Sequence, residues 1–143
     1  MNKIKATITT LNEYQDKIKK LFESSKIDII KQQSENDNRT TTIQINDLDS
    51  RSDIRLEDVL KHLRQHEISY SYIWHEHYGN QSGETHYRSN GLATQHLSWM
   101  DYEKNVVSIE DVRQAVTQGD TAVLDLLDVT ENQFTPWEWN QIA

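Results

Sequence analysis

Between Lys3 and Tyr78 the spacing of apolar residues switches repeatedly between two and three-to-four. The order of those switches constrains the fold more than any other property of the chain. Ile4, Ala6 and Ile8 recur at the strand period over 3–9. Leu11, Tyr14, Ile18, Leu21 and Phe22 recur at the helical period, with Glu13–Lys17 and Asp16–Lys20 pairs opposite, which predicts a helix over 11–24. Thr10-Leu11-Asn12-Glu13 has the form of a capping box at its start. Ile27, Ile29 and Ile30 predict a strand over 26–33. The polar run 34–39 predicts a turn, and Thr40 to Asn46, with Ile43 and Ile45 two apart, a hairpin partner. Leu56, Val59, Leu60 and Leu63 predict a second helix over 54–66, capped by Ser52 or Asp53. Residues 68–78 read as a strand, paired with 84–90 across a turn at Gly79–Gly83.

Strand, helix, strand, strand, helix, strand is the split βαβ order of ferredoxin-like folds. It predicts an α+β single domain over 1–143, an antiparallel sheet with helices on one face, with a helix over a meander as the alternative. Residues 1–90 form the α+β core of this arrangement. Residues 91–143 form a mainly helical acidic extension packed on it. Within that extension 91–107 show little periodicity. Ser108 to Asp111 starts a helix whose apolar stripe is Ile109, Val112 and Val116, and Gly119 stops it. Asp120 caps a helix carrying Val123, Leu124 and Leu127. Thr135-Pro136-Trp137-Glu138 places a capping residue, a first-turn proline and a third-position glutamate in line, which predicts a short helical turn.

Composition removes several classes of function. The chain has 143 residues and no cysteine, so disulfides, thiolate metal sites and a thiol nucleophile are excluded, in keeping with a reducing compartment. Four glycines cannot spell a P-loop or a dinucleotide fingerprint. No apolar run is long enough to cross a membrane, and Met1 to Thr10 lacks the apolar core of a secretory signal. The expectation is a soluble cytoplasmic protein. With 23 acidic against 15 basic residues the net charge is −8, which argues against direct contact with nucleic acid.

The charge is distributed unevenly. Residues 91–143 hold nine acids and two bases, leaving 14 acids and 13 bases in the first ninety positions. Such a surface keeps a small protein soluble, and it also steers a basic partner towards it. The expected function is a non-catalytic binding protein, of the kind exemplified by bacterial immunity and inhibitor proteins, that engages a basic protein partner through this third. Asp120, Asp125, Asp128, Glu131 and Glu138 supply the charge, and Trp137 and Trp139 are the candidate apolar anchors.

The alternative is a small-molecule or metal sensor built on the hairpin 68–90. Tyr70, Tyr72 and Trp74 share one strand face, joined by Tyr87 if the register places Gly79 opposite Glu84. The same register aligns His75, His77 and His86 on the other face, where imidazoles suit zinc or nickel. A further alternative is a hydrolase of unknown substrate. No serine sits in a G-x-S-x-G context, so that reading requires a buried histidine–carboxylate pair that sequence does not reveal.

Overall fold

The computed structural model describes residues 6–34, 39–45, 50–75, 81–104 and 106–142. It contains β1 (Ala6–Leu11), α1 (Gln15–Ser24), β2 (Ile29–Ser34), β3 (Thr40–Ile45), α2 (Ser50–Gln65), β4 (Tyr70–Trp74), β5 (Gly83–Ser89), β6 (Thr94–Met100), α3 (Ile109–Gln118) and α4 (Asp120–Asn132). The strands form one antiparallel sheet in the order β2-β3-β1-β4-β5-β6. Its first four members have the ferredoxin-like order, and β5 and β6 extend the sheet beyond β4.

The core lies between this sheet and the first two helices. Ala6, Ile8, Ile43, Ile45, Tyr70 and Tyr87 point from one sheet face towards Ile18 and Phe22 of α1 and Leu56, Val59, Leu60 and Leu63 of α2. Strand alternation and helical stripes thus converge on a single apolar layer. The hydroxyls of Tyr70 and Tyr87 are tied to α2: Arg64 donates to Tyr70 Oη at 2.7 Å, and Tyr87 donates to the Arg64 carbonyl at 3.3 Å.

The start of α1 differs from expectation. Thr10 does not cap it, because β1 continues through Leu11 and the Thr10 hydroxyl donates to the Ser69 carbonyl. Strand pairing holds the backbone extended there, and a 3-10 turn over Asn12–Tyr14 intervenes before the α-helix. The proposed caps Ser52 and Asp53 lie inside α2, which begins at Ser50.

Residues 91–107, without clear periodicity in sequence, contain β6. Asn90 builds the turn leading into it: its side chain accepts from the N–H groups of Leu92 and Ala93 at 2.9 and 2.8 Å, with Gly91 at φ 86°. The hairpin register of β4 and β5 is also corrected. Glu84 faces Ile73 rather than Gly79. Trp74 ends β4 opposite Gly83, and a Cβ at that glycine would overlap the Trp74 ring and lie 2.7 Å from the Trp99 carbonyl oxygen. The Trp74 indole N–H donates to the Gln81 carbonyl at 2.8 Å, so the indole and a glycine beneath it set the register. The shift is an even number of residues, and Tyr87 therefore still joins the aromatic face, opposite Tyr70.

Candidate functional site

The second sheet face, across β4 to β6, carries Ser71, Ile73, Glu84, His86, Arg88, Gln95, Leu97 and Trp99. Five of these are polar or charged side chains that need partners when covered. The segment after α4 covers them. Phe134 sets its ring edge-on to Trp99 at 5.3 Å. Gln95 donates to the Thr135 carbonyl at 3.5 Å and accepts from the Trp137 N–H at 2.8 Å. Arg88 Nε donates to the Trp137 carbonyl at 2.9 Å, and its guanidinium lies 3.9 Å from the centre of the Trp139 ring. Ile142 is buried at the end of this segment, and its carbonyl accepts from Arg39.

These bonds explain why Thr135 to Glu138 is not the expected helical turn. The backbone N–H and carbonyl of Trp137 are already committed to Gln95 and Arg88. Only Trp139–Gln141 turns, as 3-10, with the Gln141 side chain accepting from the Glu138 N–H at 2.9 Å. Trp137 and Trp139 are both half-buried, and the guanidinium occupies a face of the Trp139 ring. Glu138 is exposed nearby.

Beneath this segment, Arg88 is 2% exposed. Besides Trp137 it donates to the Tyr70 carbonyl at 2.7 Å, the Tyr87 carbonyl at 3.1 Å and Ser71 Oγ at 2.8 Å. Burial pulls its pKa down to about 10, opposed by the charge of Glu138. The Glu84 carboxylate only accepts, so His86 Nε2–H donates to Glu84 Oε1 at 3.1 Å. Nδ1 of the neutral ring then accepts from the Ser71 hydroxyl at 2.7 Å, and Ser71 Oγ in turn accepts from Arg88.

A serine, a histidine and a carboxylate are thus joined in series, and the last two are the pair that a hydrolase reading requires. The setting is that of a packing network. Ser71 and His86 are 7% and 6% exposed, and the imidazole stacks on Trp99 at 5.0 Å. Arg88 and His86 already engage the serine hydroxyl, which is not presented to a substrate. A fully bonded buried network of this kind fixes two strands and the covering segment in one arrangement.

His86 makes stability depend on pH. Burial lowers its pKa below the ordinary imidazole value; the Glu84 hydrogen bond opposes this, and the Arg88 charge adds to it. His96 is lowered as well, mainly by burial. The unfolded chain therefore takes up protons below about pH 6.5 that the folded chain does not. Full stability is expected above that pH, with a progressive loss as pH falls from there towards the folded-state values. Urea midpoints at pH 8 and pH 5.5 check this. Equal midpoints would contradict it.

The other residues singled out in the sequence are placed as follows. Tyr70 and Tyr87 are buried core members, and Tyr72 and Trp74 are half-buried and stacked on each other at 5.4 Å. A cleft of about 250 Å³ at one end of the sheet includes Leu11, Tyr14, His66, Ser89 and Ile142 in its lining, but none of these four aromatics. His86 faces Ser71, His75 is exposed one residue beyond β4, and His77 lies outside the described residues. Among the described residues no group of three histidine, aspartate or glutamate side chains is placed to hold a metal ion.

Asp120, Asp125, Asp128 and Glu131 are all exposed on α4. At about 100° per residue, Leu127, Asp120, Glu131, Leu124 and Asp128 fall within roughly 100° of the helix circumference, and Asp125 lies about 60° outside that arc. Leu124 is 61% and Leu127 52% exposed on this face, whereas Ala122 and Leu126 on the opposite side, and Val123 next to Leu127, are half-buried. On α3, Ser108 caps the helix by accepting from the Asp111 N–H, and Ala115 is buried. Its stripe Ile109, Val112 and Val116 stays exposed, contrary to the usual fate of such a stripe. Among the described residues no lysine or arginine forms an ion pair with an acid of α3 or α4. Sequence reasoning chose the acids of this surface but assigned its apolar component to the tryptophans. The signal for the leucines was their position between Asp120, Asp128 and Glu131 on one turn-to-turn row.

No helix of the described residues is long and apolar enough to cross a membrane. No family model matches the chain, and neither does any curated protein or solved structure.

Proposed function

We propose that this chain is a non-catalytic cytoplasmic binding protein, of the acidic immunity or inhibitor type, that engages a basic protein through its C-terminal third. One observation carries the reading: the outward face of α4 combines two exposed leucines with three carboxylates that have no cationic partner among the described residues. Exposed leucine is ordinary when scattered, but two on one row, rimmed by like charge, make a recognisable docking surface. Unneutralised carboxylates raise the encounter rate with a basic surface, and apolar area supplies the contact that holds it. Three carboxylates on one side of a helix are spaced to meet lysine and arginine side chains of the partner, which is how such a protein would mask a cationic site.

The test is capture from the native host at low and high ionic strength, with the wild-type chain and an Asp120→Lys/Asp128→Lys/Glu131→Lys variant as bait. A basic protein is expected on the wild type at low salt only, and not on the variant, whose exposed substitutions leave stability within about 0.5 kcal/mol each. Recovery of no basic protein, or equal recovery by both baits, would overturn the reading.

A further inference from the structure

We infer that the element of the partner received by this surface is a basic amphipathic α-helix, laid against the outward face of α4. The inference rests on the binding role proposed above and adds the form of the partner. Its starting point is that the apolar arc of α4 is wider than the part this chain covers. Ala122, Leu126 and Val123 are half-buried, and Leu127 and Leu124 continue the arc beyond Val123 at 52% and 61% exposure. Apolar side chains left uncovered at the margin of a packed stripe are available to a second helix.

Charge decides between occupants. From Asp120 to Asn132 the helix carries four acids and no lysine or arginine. A second copy on the same face would bring the carboxylates of Asp120, Asp128 and Glu131 against their own duplicates, which is unfavourable. A helix with leucine-like residues along one stripe and lysine or arginine at its borders complements both components. Geometry favours a helix over an extended peptide. The surface of α4 offers rows of side chains spaced three and four residues apart, into which the rows of another helix fit. It offers no free strand edge, so an extended peptide would gain no backbone pairing there, whereas a helix satisfies its own backbone. The neighbouring α3 also carries exposed apolar residues, Ile109 and Val116.

The probe is a fluorescein-labelled eighteen-residue model helix of leucine and lysine, titrated with the full-length chain and read by anisotropy. Two comparison peptides accompany it: octadecalysine, which has the charge without the apolar stripe, and a leucine–glutamate helix of the same pattern. The leucine–lysine helix is expected to bind about tenfold or more tightly than octadecalysine, with the leucine–glutamate helix weakest. A Leu124→Ser/Leu127→Ser variant should reduce it to the octadecalysine level, and an Asp120→Asn/Asp128→Asn/Glu131→Gln variant should weaken both basic peptides. Circular dichroism confirms that the variants are folded, since every substituted position is exposed. If octadecalysine binds as well as the helix and the leucine variant changes nothing, the helical form of the partner is wrong while the basic-partner reading stands. If the leucine–glutamate helix binds equally well, or no peptide binds, both fall. Sedimentation of the chain alone covers the remaining occupant: a dimer dispersed by the leucine variant would assign the face to a second copy and overturn the inference.

Discussion

Replacing Arg88 with alanine is expected to lower the unfolding free energy by about 3–5 kcal/mol, from charged hydrogen bonds contributing about 1.5–3 kcal/mol each and partly offset by relief of guanidinium desolvation. The guanidinium donates to the carbonyls of Tyr70, Tyr87 and Trp137 and to Ser71 Oγ, and it has no carboxylate within 4 Å among the described residues. It is therefore bound by dipoles and by the Trp139 ring rather than by an opposite charge. Truncation removes all these donors at once and releases the segment after α4 in the same step. Lysine at this position is expected to recover less than half of the loss, because a point charge cannot serve a fork of acceptors lying in several directions. Urea denaturation of the two variants measures this. A change below about 1 kcal/mol for alanine would show that the network does not hold the segment.

Trp99→Ala is expected to cost a similar amount, about 3–5 kcal/mol, the usual range for removing a large buried aromatic. The ring is stacked on His86 on one side and meets the edge of Phe134 on another, so its loss opens a void between the sheet and its cover. Trp99→Phe should cost less than about 1.5 kcal/mol. It keeps an aromatic ring in the stack, and the indole N–H that it deletes is buried without an acceptor among the described residues. An equal loss for both variants would mean that stacking on His86 and Phe134 is not what the position supplies. Combining Trp99→Ala with Arg88→Ala should give less than the sum of the two, because each alone frees part of the same segment. Since α4 leads directly into that segment, both variants should also loosen the mounting of the proposed docking face while leaving its side chains unchanged.

Much of the architecture was written in local periodicity. The order of strands and helices to residue 74, the antiparallel sheet and the apolar layer of Ile8, Ile18, Phe22, Ile43 and Leu63 follow from spacings of two and three-to-four. Ser108 and Gly119 mark the limits of α3 by capping chemistry alone. The strand β6 was not read from the sequence, because its alternation is weak. Only Leu97 and Trp99 give it an apolar face, because it is an edge strand whose other side meets solvent.

Which residues share a face could be read from the chain alone, because side-chain direction along a strand or helix depends on parity and phase over a few residues. The chain alone also determined the charge of the final third, which is a matter of composition. Tertiary structure alone decided the absolute register of β4 on β5, set where Trp74 finds a glycine to lie over. It decided the partners of Ser71, Glu84, His86 and Arg88, which become neighbours of Trp137 and Trp139 only when a distant segment crosses the sheet. The physical reason is range: backbone geometry propagates over single turns and pleats, whereas the burial of an indole or a guanidinium depends on what arrives from the far end of the chain.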